Sequence, residues 1–256
     1  MVFIDSHCHL DFPAFDKDRS QLLTACRQQH LTGFVVPGVT AAAWPRLMSL
    51  VDETPGMHGA LGLHPMFMMQ HQTADLLSLE RHLSSWPAVA IGEIGLDFYR
   101  SHQDQAQQIA LFEAQLHLAK SSDLPVILHV RKAHDQVLAA LRRIRIRGGI
   151  VHAFSGSEQQ AHQYIDLGFA VGVGGAITYS RAKRLRRTLS SLPLHALTLE
   201  SDAPDMLPAD WGNERNTPLS ILSVAAVLAD IFQVSIEEIA HQTSKNVREV
   251  LRLESG

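Results

Sequence analysis

A short β-rich run opens the chain and ends in polar residues: Phe3-Ile4-Asp5-Ser6-His7-Cys8-His9. Runs of the same kind recur along the whole chain, and each is followed by a longer segment with helical patterning. The ends of these runs lie roughly 22 to 36 residues apart, about the length of one βαβ unit. The eight predicted strands are Phe3–Asp5, Gly33–Val36, His58–Gly62, Ala88–Glu93, Pro125–His129, Gly149–His152, Phe169–Val173 and Ala196–Glu200.

The segments between these strands carry helix signals. Ile109, Phe112, Leu116 and Ala119 fall on one helical face, and the stretches 157–160 and 235–238 have the pattern of a capping box. Eight strand–helix units within 256 residues predict an α/β protein of one domain, a (β/α)8 TIM barrel spanning residues 1–256. An open doubly wound sheet more often has five or six strands.

Composition excludes several classes of protein. No run of eighteen apolar residues is present, so we expect no membrane partner. The 22 Lys and Arg residues against 26 Asp and Glu residues give a net charge of −4, which argues against binding nucleic acid through a bulk positive field. The two cysteines are too few for a disulfide scaffold, and the N-terminus lacks a signal-peptide pattern, so we expect a cytoplasmic protein.

His7 and His9 form an H-x-H motif just beyond the first predicted strand. Because side chains alternate along an extended chain, both imidazoles point to the same side, while Cys8 points away. Imidazole suits zinc and similar transition metals. Two histidines at this spacing also arise by chance, so the motif alone is weak evidence for a metal site.

Four further polar residues stand at or just after strand ends. Scattered capping of strand ends would account for one or two such residues, but it accounts poorly for six. A ring of four histidines and two carboxylates favours one or two divalent ions, and the mixed nitrogen and oxygen donors are compatible with Zn, Mn or Mg. The four are Glu93 after the fourth strand, His129 after the fifth, His152 after the sixth and Asp202 after the eighth.

Six short motifs follow one another along nearly the whole chain: Ile4-Asp5-Ser6-His7-Cys8-His9-Leu10-Asp11, Gly62-Leu63-His64-Pro65, Gly92-Glu93-Ile94-Gly95-Leu96-Asp97, Leu128-His129, His152-Ala153-Phe154-Ser155-Gly156 and Glu200-Ser201-Asp202-Ala203-Pro204. In these motifs the chain resembles the TatD family of metal-dependent deoxyribonucleases. The resemblance implies a TIM-barrel hydrolase of the amidohydrolase-like kind with two divalent ions, in which Glu93 bridges the ions. It implies as ligands His7, His9, Glu93, His129, His152 and Asp202.

Two of these residues are the candidate catalytic carboxylates. Asp202 would orient or deprotonate the attacking water, and Glu93 would act as the shared ligand. Alternation along the strands places Asp5 on the side of His7 and His9, and Glu200 on the side of Asp202. Both acids are therefore predicted to be buried behind the ligands, either tuning them or serving as structural hydrogen-bonded carboxylates.

The candidate substrate contacts are His64, Tyr99, Arg131 and Arg215. His64 ends the third strand and would contact a phosphate or the leaving group, the alternative being a core histidine. Tyr99 follows Glu93 closely and could stack on a base, although aromatic residues of such loops more often serve packing. A group of cations follows strands four, five, seven and eight and could hold phosphate or simply be solvated charge: Arg100, Arg131, Lys132, Arg181, Lys183, Arg184 and Arg215.

These features together predict a divalent-metal-dependent hydrolase of phosphodiester bonds, a TatD-type deoxyribonuclease acting on DNA or another phosphodiester as a 3'-5' exonuclease. We expect it to work as a monomer. One alternative is a hydrolase of amides or acyl esters on the same scaffold, because fold does not determine function. Another is a non-catalytic module that binds metal or nucleic acid. It is disfavoured, because structural zinc sites are usually closed by four Cys or His ligands.

Overall fold

Eight parallel strands alternate with helices in a computed structural model that describes residues 2–99, 105–212 and 214–253. The strands are β1 (Phe3–Asp5), β2 (Leu31–Pro37), β3 (Met57–Leu61), β4 (Ala90–Asp97), β5 (Val126–Arg131), β6 (Gly149–Val151), β7 (Phe169–Val173) and β8 (Leu197–Leu199). The helices are α1 (Arg19–Gln28), α2 (Trp44–Glu53), α3 (Thr73–Ser85), α4 (Gln105–Ser121), α5 (His134–Ile144), α6 (Glu158–Asp166), α7 (Lys183–Ser190), α8 (Ile221–Phe232) and α9 (Ile236–Leu251).

The sheet runs in sequence order from β1 to β8 and curls into a nearly closed barrel. Backbone hydrogen bonds join its first and last segments: Ser6 N donates to Leu199 O at 2.8 Å, and His9 N donates to Ala203 O at 2.8 Å. All eight predicted strands and the TIM-barrel architecture are confirmed. Most strand bounds agree within a few residues, but β4 runs to Asp97 instead of ending at Glu93.

The helix signals of the sequence also correspond to real elements. The buried side of α4 includes Phe112, Leu116 and Ala119, three of the four residues predicted to share a face. At the start of α6, Ser157 Oγ accepts a hydrogen bond from Gln160 N, and Gln160 Oε1 accepts one from Ser157 N. Ser235 Oγ accepts from Glu238 N and caps α9. Each cap satisfies backbone donors that a helix otherwise leaves unpaired.

The last helix closes the end of the barrel opposite to the carboxyl ends of the strands. A buried apolar cluster takes one residue from each of β1 to β7 and packs these residues against Val247 and Leu251 of α9. Asn246 Nδ2 donates to Leu197 O at the start of β8. In the described ranges no single helix is long and apolar enough to cross a membrane, and one bent pair, Pro218–Phe232 with Ile236–Leu251, meets the length and composition criteria only together.

A glycine in β4 allows an irregularity beside the polar end of the barrel. The pairing of β4 with β5 shifts register between Ile91 and Ile94, and Gly95 has a φ of +146°. A Cβ atom at Gly95 would lie 2.0 Å from His129 O, which is backbone of the neighbouring strand. Only glycine fits this conformation and this approach. The spacing of Glu93 and His129 therefore depends on a residue without a side chain.

Replacing this glycine is expected to destabilise the protein. Gly95→Ala adds a methyl group against the backbone of β5 at a positive φ, so the free energy of unfolding should fall by at least about 2 kcal/mol. Urea denaturation measures this change. The matched control is Gly212→Ala, because a Cβ at that position meets no atom within 4 Å. Equal stability of the two variants would contradict the steric argument.

Candidate metal centre

Seven metal-ligating side chains meet at the mouth of the barrel, where the carboxyl ends of the strands lie. Six different strand ends contribute them, so the set exists only in the folded chain. The seven are His7, His9, His64, Glu93, His129, His152 and Asp202. The structure thus brings all six residues proposed as ligands together, and it adds His64 to them.

Glu93 lies at the centre of the group and is only 2% exposed. Its Oε2 atom lies 3.2 Å from His7 Nε2 and 3.6 Å from His9 Nε2. Its Oε1 atom lies 3.1 Å from both His64 Nε2 and His129 Nδ1. One carboxylate therefore faces imidazole nitrogens on two sides, as a bridging ligand does.

Asp202 faces the same group from the end of β8. Its Oδ1 atom lies 3.7 Å from the Nε2 atoms of His7 and His9, and its Oδ2 atom lies 3.6 Å from His152 Nε2. The residue has a φ of +54°, an uncommon conformation for a non-glycine residue that here directs the side chain into the mouth. Asp202 N donates to His7 O at 2.9 Å, which ties the carboxylate to the H-x-H segment.

The negative charge of Glu93 and Asp202 favours the binding of a cation at this site. None of the ion pairs among the described residues joins Glu93 or Asp202 to a lysine or arginine. Burial raises the pKa of Asp202 to about 7, and Glu200 with Asp202 outweighs burial to raise the pKa of His152 to about 10. Without another positive charge, the buried carboxylates can be neutralised only by protons. A metal ion would replace those protons.

The donor atoms also fit a divalent ion. Burial lowers the pKa of His9 to about 4 and holds the pKa of His7 well below its usual range, so both imidazoles keep a free lone pair. His7 Nε2 and His9 Nε2 lie 3.3 Å apart. Three sets of donors each fall within 4.8 Å: His7 with Glu93 and His152, His7 with His9 and Asp202, and His64 with Glu93 and His129. Neutral imidazole and carboxylate are the ligands that zinc and manganese accept.

Two of the histidines have a carboxylate on the side that faces away from the mouth of the barrel. His129 Nε2 lies 3.1 Å from Asp97 Oδ2, and His152 Nδ1 lies 3.0 Å from Glu200 Oε1. Hydrogen bonds to Asp97 and Glu93 outweigh burial and raise the pKa of His129, because both of its ring nitrogens face carboxylates. A metal ion at the mouth would displace a proton from His129 Nδ1 or from His152 Nε2, while the other nitrogen of each ring stays beside Asp97 or Glu200. Glu200 was expected behind the ligands from the sequence.

His64 has the opposite arrangement. Its Nδ1 atom accepts a hydrogen bond from Met66 N at 3.0 Å, so the neutral ring carries its proton on Nε2. That nitrogen is the one directed at Glu93. The buried ring of His64 is therefore presented as a hydrogen-bond donor, which suits an oxygen of a substrate better than a metal ion. The contact with a phosphate or leaving group that is expected for His64 from its place after β3 stays a prediction.

Asp97 is the residue of the site that the sequence reasoning missed. Gln108 holds it from α4: Gln108 Oε1 accepts from Asp97 N at 2.9 Å, and Gln108 Nε2 donates to Asp97 O at 3.2 Å. Asp97 Oδ1 accepts from Tyr99 N, which leaves Oδ2 for His129. The sequence motif 92–97 contains Asp97, but the predicted fourth strand ended at Glu93, so Asp97 was not placed at the site.

Asp5 connects the two ends of the chain beneath the ring. Its Oδ1 atom accepts from His7 N at 3.1 Å and from Ser201 N at 3.0 Å, and its Oδ2 atom accepts from Ser201 Oγ at 2.6 Å. Complete burial outweighs these hydrogen bonds and raises the pKa of Asp5 to about 8. Its position behind His7 agrees with the expectation from strand alternation.

Tyr99 and Arg131 lie together on the rim of the mouth. The Arg131 guanidinium carbon stands 3.8 Å from the centre of the Tyr99 ring, and Tyr99 is 58% exposed. They adjoin Lys132, which lines with Tyr99 a depression of about 560 Å³. An exposed aromatic ring beside cations can contact a base and a phosphate. Arg100, named with these cations, lies outside the described residues.

Arg215 lies away from the group of histidines and carboxylates at the mouth of the barrel. Its Nη2 atom lies 2.6 Å from Asp18 Oδ2, its Nη1 atom donates to Ala14 O, and its guanidinium stands 4.4 Å from the centre of the Phe15 ring. These contacts join the loop after β8 to the segment that precedes α1. A substrate contact by Arg215 stays a prediction that these contacts do not support.

Comparisons with known proteins identify the family of this chain. A family model described as TatD related DNase matches residues 4–252. The metal-dependent hydrolase YjjV of Escherichia coli K12 is 41% identical, over 95% of each chain. The 3'-5' ssDNA/RNA exonuclease TatD of Erwinia billingiae is 32% identical, over 97% of this chain and 98% of that one. The crystal structure of the TatD homologue YjjV of Escherichia coli matches with a TM-score of 0.95 at 39% identity over 98% of both chains. The chain belongs to the TatD family of metal-dependent hydrolases.

Proposed function

We propose that the protein is a divalent-metal-dependent phosphodiesterase that shortens single-stranded nucleic acid from a 3' end. The observation that carries the proposal is the position of Glu93, a buried carboxylate with imidazole nitrogens on both sides. The name of the Erwinia relative supports single-stranded DNA or RNA as the substrate. A barrel mouth also admits the end of a strand more readily than the interior of a duplex.

The donors divide into two sets on either side of Glu93. On one side lie His7, His9 and Asp202, and on the other side lie His129 and His64, whose Nδ1 and Nε2 atoms each lie 3.1 Å from Glu93 Oε1. His152 Nε2 lies between Asp202 and His7, because its ring stacks on the His7 ring at 3.6 Å between centroids. The donors of each side would hold one divalent ion, and Glu93 faces both sets. Zn, Mn and Mg are all compatible with these donors.

Divalent ions bound here would supply the Lewis acidity that lowers the pKa of water and offsets the charge of the phosphodiester. The protein supplies the proton transfers. Asp202 faces the other ligands at the mouth and can orient the attacking water and accept its proton. His64 presents its Nε2 proton at the mouth and can donate a hydrogen bond to the phosphate or to the leaving oxygen.

Residues on the rim of the barrel mouth could bind a nucleic-acid strand. The exposed ring of Tyr99 offers a stacking surface for a base, and Arg131 and Lys132 beside it offer positive charge for phosphate. His64 lies one strand away, after β3, on the same face. We therefore place the terminal nucleotides of the substrate across these residues, next to the metal ligands.

Removal and restoration of metal test the proposed reaction. We expect metal-stripped protein to leave 5'-labelled single-stranded DNA intact, and addition of Mn, Mg or Zn to restore stepwise shortening from the 3' end. Asp202→Asn should lower turnover by about 10²- to 10⁴-fold with a much smaller change in substrate affinity, because it removes the proton acceptor. Labelled DNA resolved on a gel measures both effects.

The control for this substitution is Asp166→Asn, the same chemical change on an exposed residue of α6. It should keep the turnover of the unaltered protein. Full turnover in Asp202→Asn would overturn its role as the proton acceptor. Failure of every metal to produce shortening would overturn the nuclease proposal.

The contact between Asp97 and His129 gives a second prediction. Asp97→Asn can present an amide donor to His129 Nε2, which would move the imidazole proton to Nδ1 and remove the lone pair that faces Glu93. We expect metal affinity to fall by about 10- to 100-fold, as is typical when the partner of a metal-bound histidine is changed. Calorimetric titration with Zn or Mn measures the affinity.

Asp230→Asn, an exposed change on α8, should bind metal as the unaltered protein does. Thermal unfolding of the stripped variants provides the second readout. If Asp97→Asn loses metal affinity only because it unfolds, its melting temperature without metal will fall as well, and the tautomer argument fails.

A further inference from the structure

A second aromatic and cationic groove lies on the same face of the barrel, after β7. The chain leaves β7 at Val173, passes through a short turn at Gly175–Thr178 and enters α7 at Lys183. Between this segment and the loop after β8 lies a groove of about 440 Å³. Its lining residues are Ala176, Tyr179, Arg181, Ala182, Met206 and Leu207.

The groove adjoins the metal ligands along the chain. Its far wall, Met206 and Leu207, follows Asp202 in the same loop, and Asp205 N donates to Asp202 O at 2.8 Å. Asn216 Nδ2 fixes this loop by donating to Ser201 O at 2.8 Å and to Asp205 O at 2.7 Å. A molecule that occupies the groove therefore lies beside the loop that presents Asp202.

The opposite wall of the groove, formed by the segment that includes Thr178 and Tyr179, is held by hydrogen bonds to the loop after β8. Tyr179 donates through its hydroxyl to Leu207 O at 3.0 Å, and Thr178 Oγ1 accepts from Ala209 N at 2.7 Å. Arg186 donates to Ile177 O and Thr178 O from the first turns of α7. The aromatic ring is thus oriented before any ligand binds, which reduces the entropy lost on binding.

One arginine lies beside this ring, and further cations follow it along α7. The Arg181 guanidinium carbon stands 4.8 Å from the centre of the Tyr179 ring. The described carboxylates form ion pairs with Arg19, Arg46, Arg143, Arg147, Arg215 and Arg252 but with none of Arg181, Lys183, Arg184 and Arg187. In a chain of net charge −4, this local excess favours an anionic ligand.

We infer that this groove is a nucleotide subsite of the proposed substrate, in which one base of a single strand stacks on Tyr179 and its phosphate is held by Arg181. The inference rests on the proposed function and extends it. The residues that line the groove beside Tyr179 and Arg181 are apolar, and the Tyr179 hydroxyl donates to Leu207 O, so a base would be held mainly by stacking and the subsite would take any base. With the Tyr99 and Arg131 pair after β4 and β5, it extends substrate contact to a second part of the rim.

The experiment measures binding of a labelled hexathymidylate with phosphorothioate linkages, which resist hydrolysis, to the full metal-loaded chain. Fluorescence anisotropy gives the dissociation constant. We expect Tyr179→Ala to weaken binding by about fivefold or more, since stacking on an aromatic side chain contributes at least that much. Tyr179→Phe keeps the ring and should stay within about twofold of the unaltered protein.

A hexamer of the same backbone without bases separates stacking from charge. Tyr179→Ala should bind it as well as the unaltered protein does, whereas Arg181→Ala should bind both hexamers more weakly. Arg187→Ala is the matched control, because it removes the same charge from the far end of α7, away from the groove. Arg181→Ala should also reduce the slope of affinity against salt by about 0.7, the contribution of one phosphate contact in a single strand.

The outcomes separate this inference from the proposed function. Binding by Tyr179→Ala that equals that of the unaltered protein, or equal losses in Arg181→Ala and Arg187→Ala, would overturn the subsite even if metal-dependent shortening is observed. Binding that requires Tyr179, in a protein that shortens no oligonucleotide with any metal, would support the subsite and overturn the nuclease proposal.

Discussion

The burial of Glu93 is the constraint on which the rest of the site depends. A carboxylate that is 2% exposed must be neutralised by its surroundings, because an isolated buried charge is strongly unfavourable. The protein surrounds it with imidazoles from strands β1, β3 and β5 instead of a lysine or arginine. These imidazoles outweigh burial and hold the pKa of Glu93 well below its usual range, so the carboxylate stays ionised and can bind a metal ion, which a permanent ion pair with a lysine or arginine would oppose.

The hydrogen bonds behind the ring determine which nitrogen of each histidine is available. Asp97 and Glu200 lie beside the outer nitrogens of His129 and His152, whereas Met66 N donates to His64 Nδ1 and leaves the proton of His64 on the nitrogen that faces the mouth. Similar side chains at similar depth thus acquire different chemistry: a nitrogen that a metal ion can bind in two cases and a hydrogen-bond donor in the third. This division supports a site that binds both a metal and the oxygens of a substrate.

Much of this could be predicted from the sequence, because the alternation of strands and helices marks the barrel and polar residues at strand ends mark its mouth. Asp97 was missed for a physical reason: the conformation of Gly95 disturbs the regular alternation of β4, and the strand continues beyond Glu93. Arg215 could not be judged, because its contacts with Asp18 and Phe15 join segments that are far apart in sequence. A local sequence pattern predicts the element on which a side chain lies, but it does not predict which residue far along the chain contacts that side chain.

The contact of Asp5 with Ser201 joins residues 196 positions apart. Closing so long a loop carries an entropic cost that only the completed barrel recovers, so the contact belongs to the last stage of folding. During synthesis the amino-terminal part of the chain emerges first, with His7 and His9 exposed long before Asp202 exists. A growing polypeptide therefore holds only a fragment of the ligand set. The centre is completed only when the chain is nearly whole.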